Sequence, residues 1–295
     1  MTVVIWSDGH LLTPEEPALS AVDHGITVGD GVFETCAVYG GQAFALTRHL
    51  RRLARSAAGI GLVAPEEQLV RDAVAQVLAA APDSGRLRIT VTGGPAPLGS
   101  MRGDGPLSLL VAAGPASPSS VSRAVRLPWV RNERSAVAGL KTTSYAENVV
   151  GYAYASERGG DEGLMANTVG ALCEGTASNV FVEIGGELLT PHLETGCLAG
   201  ITRELMLGWA REEGLPAREA RIDELPFGVL DEVTLAGGGT IGGVTGERGV
   251  SLALAGSIRN VAPVVSLDGK DVVPGPLVVA AQKLFGRRLA EGIDP

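Results

Sequence analysis

Apolar and polar positions divide the chain into many short strands and a few longer helical runs. Val3 to Trp6 and Leu11 with Leu12 flank the turn pair Asp8 and Gly9, which predicts a hairpin. A Gly-rich run, GDGVFETCAVYGG at 29–41, leads into a second hairpin. From Thr47 the run TRHLRRLARSAAGIG puts Leu50, Leu53, Ala57 and Ile60 on one helical face and ends at Gly61. Arg52 lies off that stripe, so periodicity assigns it to solvent rather than to the core. A second helix over 65–81 opens on Pro65, with Glu66 and Glu67 in its first turn.

The strands RLRITVTG and LSLLVAAG follow, and then GPASPSS at 114–120 interrupts the pattern as a linker. The predicted division is a small N-terminal α+β domain over 1–115, a linker over 116–121 and a larger C-terminal α+β domain over 122–295. The second part begins with a strand near AVRLPWV, passes Lys141 and enters a helix over 145–158. GLMANTVG, ALCEGTASNVFVEI and ELLTP predict a meander with a tight turn at Gly185 and Gly186. A helix from Ile201 to Glu213 stops at Gly214, and a last helix covers 276–291. Strands dominate and the helices are segregated, so the expected class is α+β.

Composition narrows the function. A chain of 295 residues with 45% hydrophobic and 19% charged residues fits a two-domain enzyme with a large core. A net charge of -9 with 4% aromatic residues argues against nucleic-acid binding. Cys36, Cys173 and Cys197 match neither a disulfide framework nor a CxxC site, and a reducing cytoplasm is the expected location. No basic leader precedes an apolar run and no stretch reaches about 18 apolar residues, so neither signal peptide nor membrane span is expected. His10, His24, His49 and His192 have no metal-ligand spacing, and no metal is expected. Neither a GxSxG elbow nor a complete Walker loop occurs.

The lysines are few: Lys141, Lys270 and Lys283. Lys141 sits between the apolar approach Gly139–Leu140 and the start of a helix. A lysine partly desolvated there would have a lowered pKa, suited to attack on a carbonyl and to proton transfer, although the local sequence alone favours a surface lysine before a helix. Glu174 in LCEGTASN reads alone as a turn glutamate. GITR at 200–203 opens a helix whose first N–H groups, with the Thr202 hydroxyl, suit a phosphate.

Taken in order, DHGITVGDGVFET, HLRRLARSA, LKTTSYAEN, LCEGTASNVF, the Thr190–Pro191 pair and GCLAGITR resemble the fold type IV enzymes that use pyridoxal 5'-phosphate (PLP). This is the class IV aminotransferase superfamily, which includes D-amino-acid and branched-chain aminotransferases and 4-amino-4-deoxychorismate lyase. The resemblance spans nearly the whole chain. It implies a two-domain, D-amino-acid aminotransferase-like fold with the active site in the interdomain cleft, acting on a small-molecule amine, and a homodimer. It implies that Lys141 carries the cofactor as a Schiff base and that Glu174 partners the pyridine nitrogen. Arg52, Ile201 and Thr202 would meet the phosphate, and Tyr145 would lie beside the cofactor.

The sequence departs from the family at one place. DEV at 231–233 and AGSIRN are separated by about eighteen Gly-rich residues, where relatives pass directly to a phosphate-binding turn. Thr240 and Ser257 then compete as the last phosphate ligand. Ser257 is preferred because NVAPVVSLDG follows it as in the family, and 234–251 is expected to be a loop.

Which bond breaks is less visible. D-amino-acid aminotransferases carry an Arg and a His in a motif like RGxxPRxH, whereas this chain reads GGPAPLGS at 93–100. Branched-chain enzymes usually have Tyr where this chain has Val28. The nearest resemblance is to aminodeoxychorismate lyase, in TVGDGVFET, RNER and LKTTSYAENVV. That implies release of pyruvate and 4-aminobenzoate, a folate precursor, with Lys141 as general base. The alternative is an aminotransferase for D-amino or branched-chain amino acids or another amine. Arg102 and Arg131 are the candidates to meet substrate carboxylates.

Overall fold

The computed structural model describes residues 3–243 and 249–295. They form two compact units, one of 3–117, Leu140–Tyr145 and Gly292–Pro295, the other of Pro118–Gly139, 146–243 and 249–291.

In the first unit β1 (Val4–Ser7), β2 (His10–Leu12), β3 (Gly31–Tyr39), β4 (Gln42–Ala43), β5 (Arg86–Thr92) and β6 (Ser108–Gly114) make one antiparallel sheet. Its order is β2-β1-β6-β5-β3-β4. Asp8 and Gly9, both at positive φ, turn the first hairpin as expected. On β5, Leu87, Ile89 and Val91 alternate inward and are fully buried. Over that face lie α2 (Leu46–Gly59), through Leu50, Leu53 and Ala57, and α3 (Glu67–Ala80), through Val70, Val74 and Val77. A four-residue helix, α1 (His24–Thr27), precedes β3. The C-terminal residues close the start of α2: Ala45 N–H donates to the Ile293 carbonyl at 2.7 Å and Thr47 N–H to Asp294 at 3.0 Å.

The linear boundary at 116–121 assigns Lys141 to the second part of the chain, but its segment packs with the first unit. The reason is strand-like pairing. Phe33 N–H donates to the Lys141 carbonyl and Thr143 N–H to the Gly31 carbonyl, so 141–143 extends the edge of β3.

The second unit is built on β7 (Ser122–Arg131), β8 (Glu162–Asn167), β9 (Leu172–Gly175), β10 (Asn179–Ile184), β11 (Glu187–Thr190), β12 (Ala217–Glu219), β13 (Ser251–Gly256), β14 (Asn260–Leu267) and β15 (Lys270–Asp271). The sheet runs β12-β11-β10-β13-β14-β7-β8-β9, with β15 on β14. Three helices accompany it: α4 (Ala146–Ser156), α5 (Ile201–Glu213) and α6 (Pro276–Leu289). β7, α4 and β8 form a parallel crossover unit. The expected meander is only partly present. β8 pairs β9 and β10 pairs β11, but β13, β14 and β7 stand between the two hairpins in the sheet order. Asp231 and Glu232 of DEV, a strand in the relatives that the sequence resembles, lie here in a 3-10 turn, Phe227–Glu232.

No helix among the described residues is long and apolar enough to cross a membrane. No group of three or more His, Cys, Asp and Glu among them is arranged to hold a metal ion.

Candidate active site

Lys141 is pinned at three points within the first unit. Its N–H donates to Ser56 Oγ of α2 at 3.2 Å, and its carbonyl accepts from Phe33 of β3 at 3.0 Å. Leu140 lies so close to α2 at Gly59 that a Cβ there would come within 2.6 Å of Leu140 Cδ1, so glycine is what lets the segment approach. The ammonium head lies 4.4 Å from the Phe33 ring centre and 5.5 Å from that of Tyr145. Those rings meet edge to face at 5.2 Å. Lys141 is half-buried against aromatic surface, which distinguishes it from a solvated lysine.

Arg52 corrects its sequence reading. It is buried, because β3 places Glu34 on the inward face and the carboxylate grips the guanidinium twice, at 2.7 Å to both Nε and Nη2. His49 completes the cluster, its Nδ1 lying 2.7 Å from Glu34 Oε2. Burial by itself would raise the Glu34 pKa, but Arg52 and then His49 outweigh it and hold the carboxyl well below the usual range. Burial pushes the His49 pKa down against the pull of Glu34, so the ring is neutral and donates. Sequence reasoning missed Glu34 and His49. The available signal was a carboxylate at an inward position of an apolar strand.

The other predicted residues belong to the second unit. The buried Glu174 ends β9 beside Gly175 and accepts from Leu198 N–H at 2.9 Å. Arg131 Nη2 approaches its Oε1 at 3.6 Å while Nη1 pairs with Glu147 at 2.7 Å. Cys173 and Cys197 are buried, and burial, then the charge of Glu174, raises both pKa values, that of Cys197 to about 12. Neither is a thiolate at neutral pH.

Asn179 gathers the next three residues. Its amide donates to the Leu198 carbonyl at 2.8 Å, its oxygen lies against Gly200, and its backbone pairs with Ala255 at the end of β13. Gly200 begins α5 without any side-chain cap, so the first N–H groups, Ile201 and Thr202 among them, have no intrahelical acceptor. Ser257 stands in the turn that follows β13. Thr240 bridges to Thr234 in a chain that also pairs Val233 with Val250. The expected loop over 234–251 is thus partly bridged; 244–248 lies outside the described residues.

Of the two arginines proposed for substrate, Arg102 binds Asp30 through Nε and Nη2 at 2.7 and 2.6 Å and donates to the Ile60 and Gly61 carbonyls. Arg131 is held by the two glutamates of its own unit. Neither offers an open fork.

Comparison with known proteins gives one consistent answer. Residues 31–267 match the family described as "Amino-transferase class IV". A Bacillus subtilis aminodeoxychorismate lyase is 30% identical over 233 residues, 75% of this chain and 78% of that protein. A Mycobacterium tuberculosis bifunctional aminodeoxychorismate lyase and D-amino acid transaminase is 30% identical over 72% and 79% of the two chains. A Bacillus licheniformis D-alanine aminotransferase is 29% identical over 93% of each. Among solved structures, a branched-chain aminotransferase of Thermoproteus uzoniensis matches with TM-score 0.82 and 26% identity, over 97% and 94% of the chains. A PLP-bound hypothetical aminotransferase of M. tuberculosis matches with TM-score 0.79 and 25% identity, over 98% and 99%.

Proposed function

The chain belongs to the class IV aminotransferase family, with the fold type IV architecture, and from that premise we propose that it is a 4-amino-4-deoxychorismate lyase. It is a PLP enzyme. The residues present fit that cofactor: a lysine on aromatic surface, a buried carboxylate, and a long helix whose start has no side-chain cap, beside a glycine where a Cβ would overlap Asn179. When bound, PLP supplies a protonated ring that takes up the electron pair of a breaking bond.

Lys141 would hold the aldehyde end and, once displaced by the substrate amine, accept the proton from the substrate ring at Nζ. Its anchoring at Ser56 and Phe33 keeps that atom in place through both tasks. Glu174 would keep the pyridine nitrogen protonated. Ile201, Thr202 and Ser257, with Arg52, would bind the phosphate by N–H, hydroxyl and guanidinium donors. Tyr145 would shield the lysine from water.

The observation that carries the lyase reading is the segment 93–100. It contains no basic residue, its Leu98 is 82% exposed, and the nearby Arg102 is locked to Asp30. A carboxylate trap of the D-amino-acid aminotransferase kind is therefore missing from its place. The second reading is an aminotransferase, favoured by the likeness to D-alanine and branched-chain enzymes. Incubation with aminodeoxychorismate separates them. The lyase releases equal amounts of pyruvate and 4-aminobenzoate, and Lys141→Ala does not; conversion of the cofactor to pyridoxamine phosphate by amino acids, without 4-aminobenzoate, contradicts it.

A further inference from the structure

Glu162 opens β8 and is fully buried, and four donors converge on its carboxylate. Oε1 accepts from Thr176 Oγ1 and, at 2.8 Å, from Ala177 N–H. Oε2 accepts from Ser178 Oγ at 2.8 Å and from Arg259 Nη2 at 2.9 Å. Residues 176–178 form the turn between β9 and β10, and Arg259 ends the turn between β13 and β14 that carries Ser257. The two turns lie side by side. Asn179 pairs with Ala255, and a Cβ on Gly256 would stand 3.3 Å from the Ala177 carbonyl oxygen. Arg259 is held further through Nη1, which donates to Ser122 Oγ at the start of β7 and to Asp161 Oδ1 at 3.2 Å.

A carboxylate removed from water needs a counter-charge and donors for its lone pairs, and Glu162 has both. Displacing any one partner leaves a buried charge or lone pair unmatched, so the cluster resists motion. It fixes the 257–259 turn at its far end, while the pairing of Ala255 with Asn179 fixes the near end. Ser257 lies between these anchors. The other turn runs directly into Asn179, whose amide donates to the Leu198 carbonyl and whose oxygen lies against Gly200. Both sides of the proposed phosphate end are therefore referred to one buried carboxylate. A pocket of N–H and hydroxyl donors holds an anion well only when the donors are in place before it arrives.

We propose that Glu162 and Arg259 are positioning residues for the cofactor phosphate, tying the turn of Ser257 to the turn that leads into Asn179. The proposal rests on Ser257 meeting that phosphate. Absorbance titrations of the full chain with PLP and with pyridoxal, which lacks the phosphate, test it without turnover. The ratio of the two affinities reads the phosphate contribution; a merely structural defect lowers the melting temperature and leaves the ratio native. In Arg259→Gln the ratio is expected to fall about ten-fold, with pyridoxal affinity near native. Arg259→Lys keeps a charge beside Glu162 but loses the fork that also reaches Ser122 and Asp161, and a fall of about three-fold is expected. A native ratio in folded Arg259→Gln overturns the proposal; where that variant does not fold, a native ratio in Arg259→Lys does so. Ser257→Ala separates the two levels. A reduced ratio there, with a native ratio in the Arg259 variants, overturns the positioning role and leaves Ser257 in the site. A native ratio in Ser257→Ala removes the premise and the proposal with it.

Discussion

The Lys141 carbonyl accepts a hydrogen bond from Phe33 N–H at 3.0 Å while the Lys141 ammonium rests 4.4 Å from the centre of the Phe33 ring. One residue of β3 thus positions both the backbone and the reactive head of the lysine. The next residue of that strand, Glu34, faces the opposite way and anchors Arg52. The strand links the amine to the cation proposed for the phosphate.

Replacing Glu34 by Gln leaves the Arg52 charge buried without its counter-ion. Removing one partner of a buried pair costs about 3 kcal/mol or more. Urea unfolding of Glu34→Gln should therefore show a lower midpoint and an unfolding free energy reduced by that amount, together with weaker PLP binding. An unchanged midpoint means that the pair adds nothing to stability.

The same cluster sets an acid limit. His49 has a folded pKa below its ordinary 6.5, so it binds fewer protons in the native state than when unfolded. Its contribution is complete above pH 6.5 and is lost as the pH falls below that value. Glu34 adds a second loss below its ordinary 4.5, because its pKa is also depressed. The melting temperature should decline from about pH 6.5 downward, in line with this linkage. In His49→Gln the decline between the two values should flatten.

Gly200→Ala tests the proposed phosphate end. The new Cβ overlaps Asn179 Oδ1, whose amide is held by the Leu198 carbonyl. Either that hydrogen bond breaks, at about 1 kcal/mol, or the start of α5 moves. PLP affinity, followed by absorbance titration, should fall about ten-fold, and global stability should fall by no more than about 1 kcal/mol. Native PLP affinity in this variant would remove the helix start from the site.

Local signals made some elements readable in advance. The α5 helix occupies Ile201–Glu213 as its pattern indicates, because Gly214 adopts the left-handed conformation that ends it. The first hairpin is equally local. Arg52 was misread because helical periodicity reports only which face is apolar, and its partner Glu34 comes from a strand eighteen residues earlier. The unit to which Lys141 belongs was hidden for a similar reason. The edge pairing of 141–143 with Gly31 and Phe33 joins segments more than a hundred residues apart. The ordered motifs supplied family and cofactor, but not the buried pair Glu34 and His49, which the packing of β3 against α2 brings to Arg52.

Where the cofactor attaches tests the role of Lys141 most directly. With only Lys141, Lys270 and Lys283 in the chain, borohydride reduction of the PLP-loaded protein followed by peptide mass mapping gives an unambiguous answer. A single pyridoxyl group is expected on Lys141, and its loss in Lys141→Ala. A label on Lys270 or Lys283, or none on Lys141 in protein saturated with PLP, contradicts it.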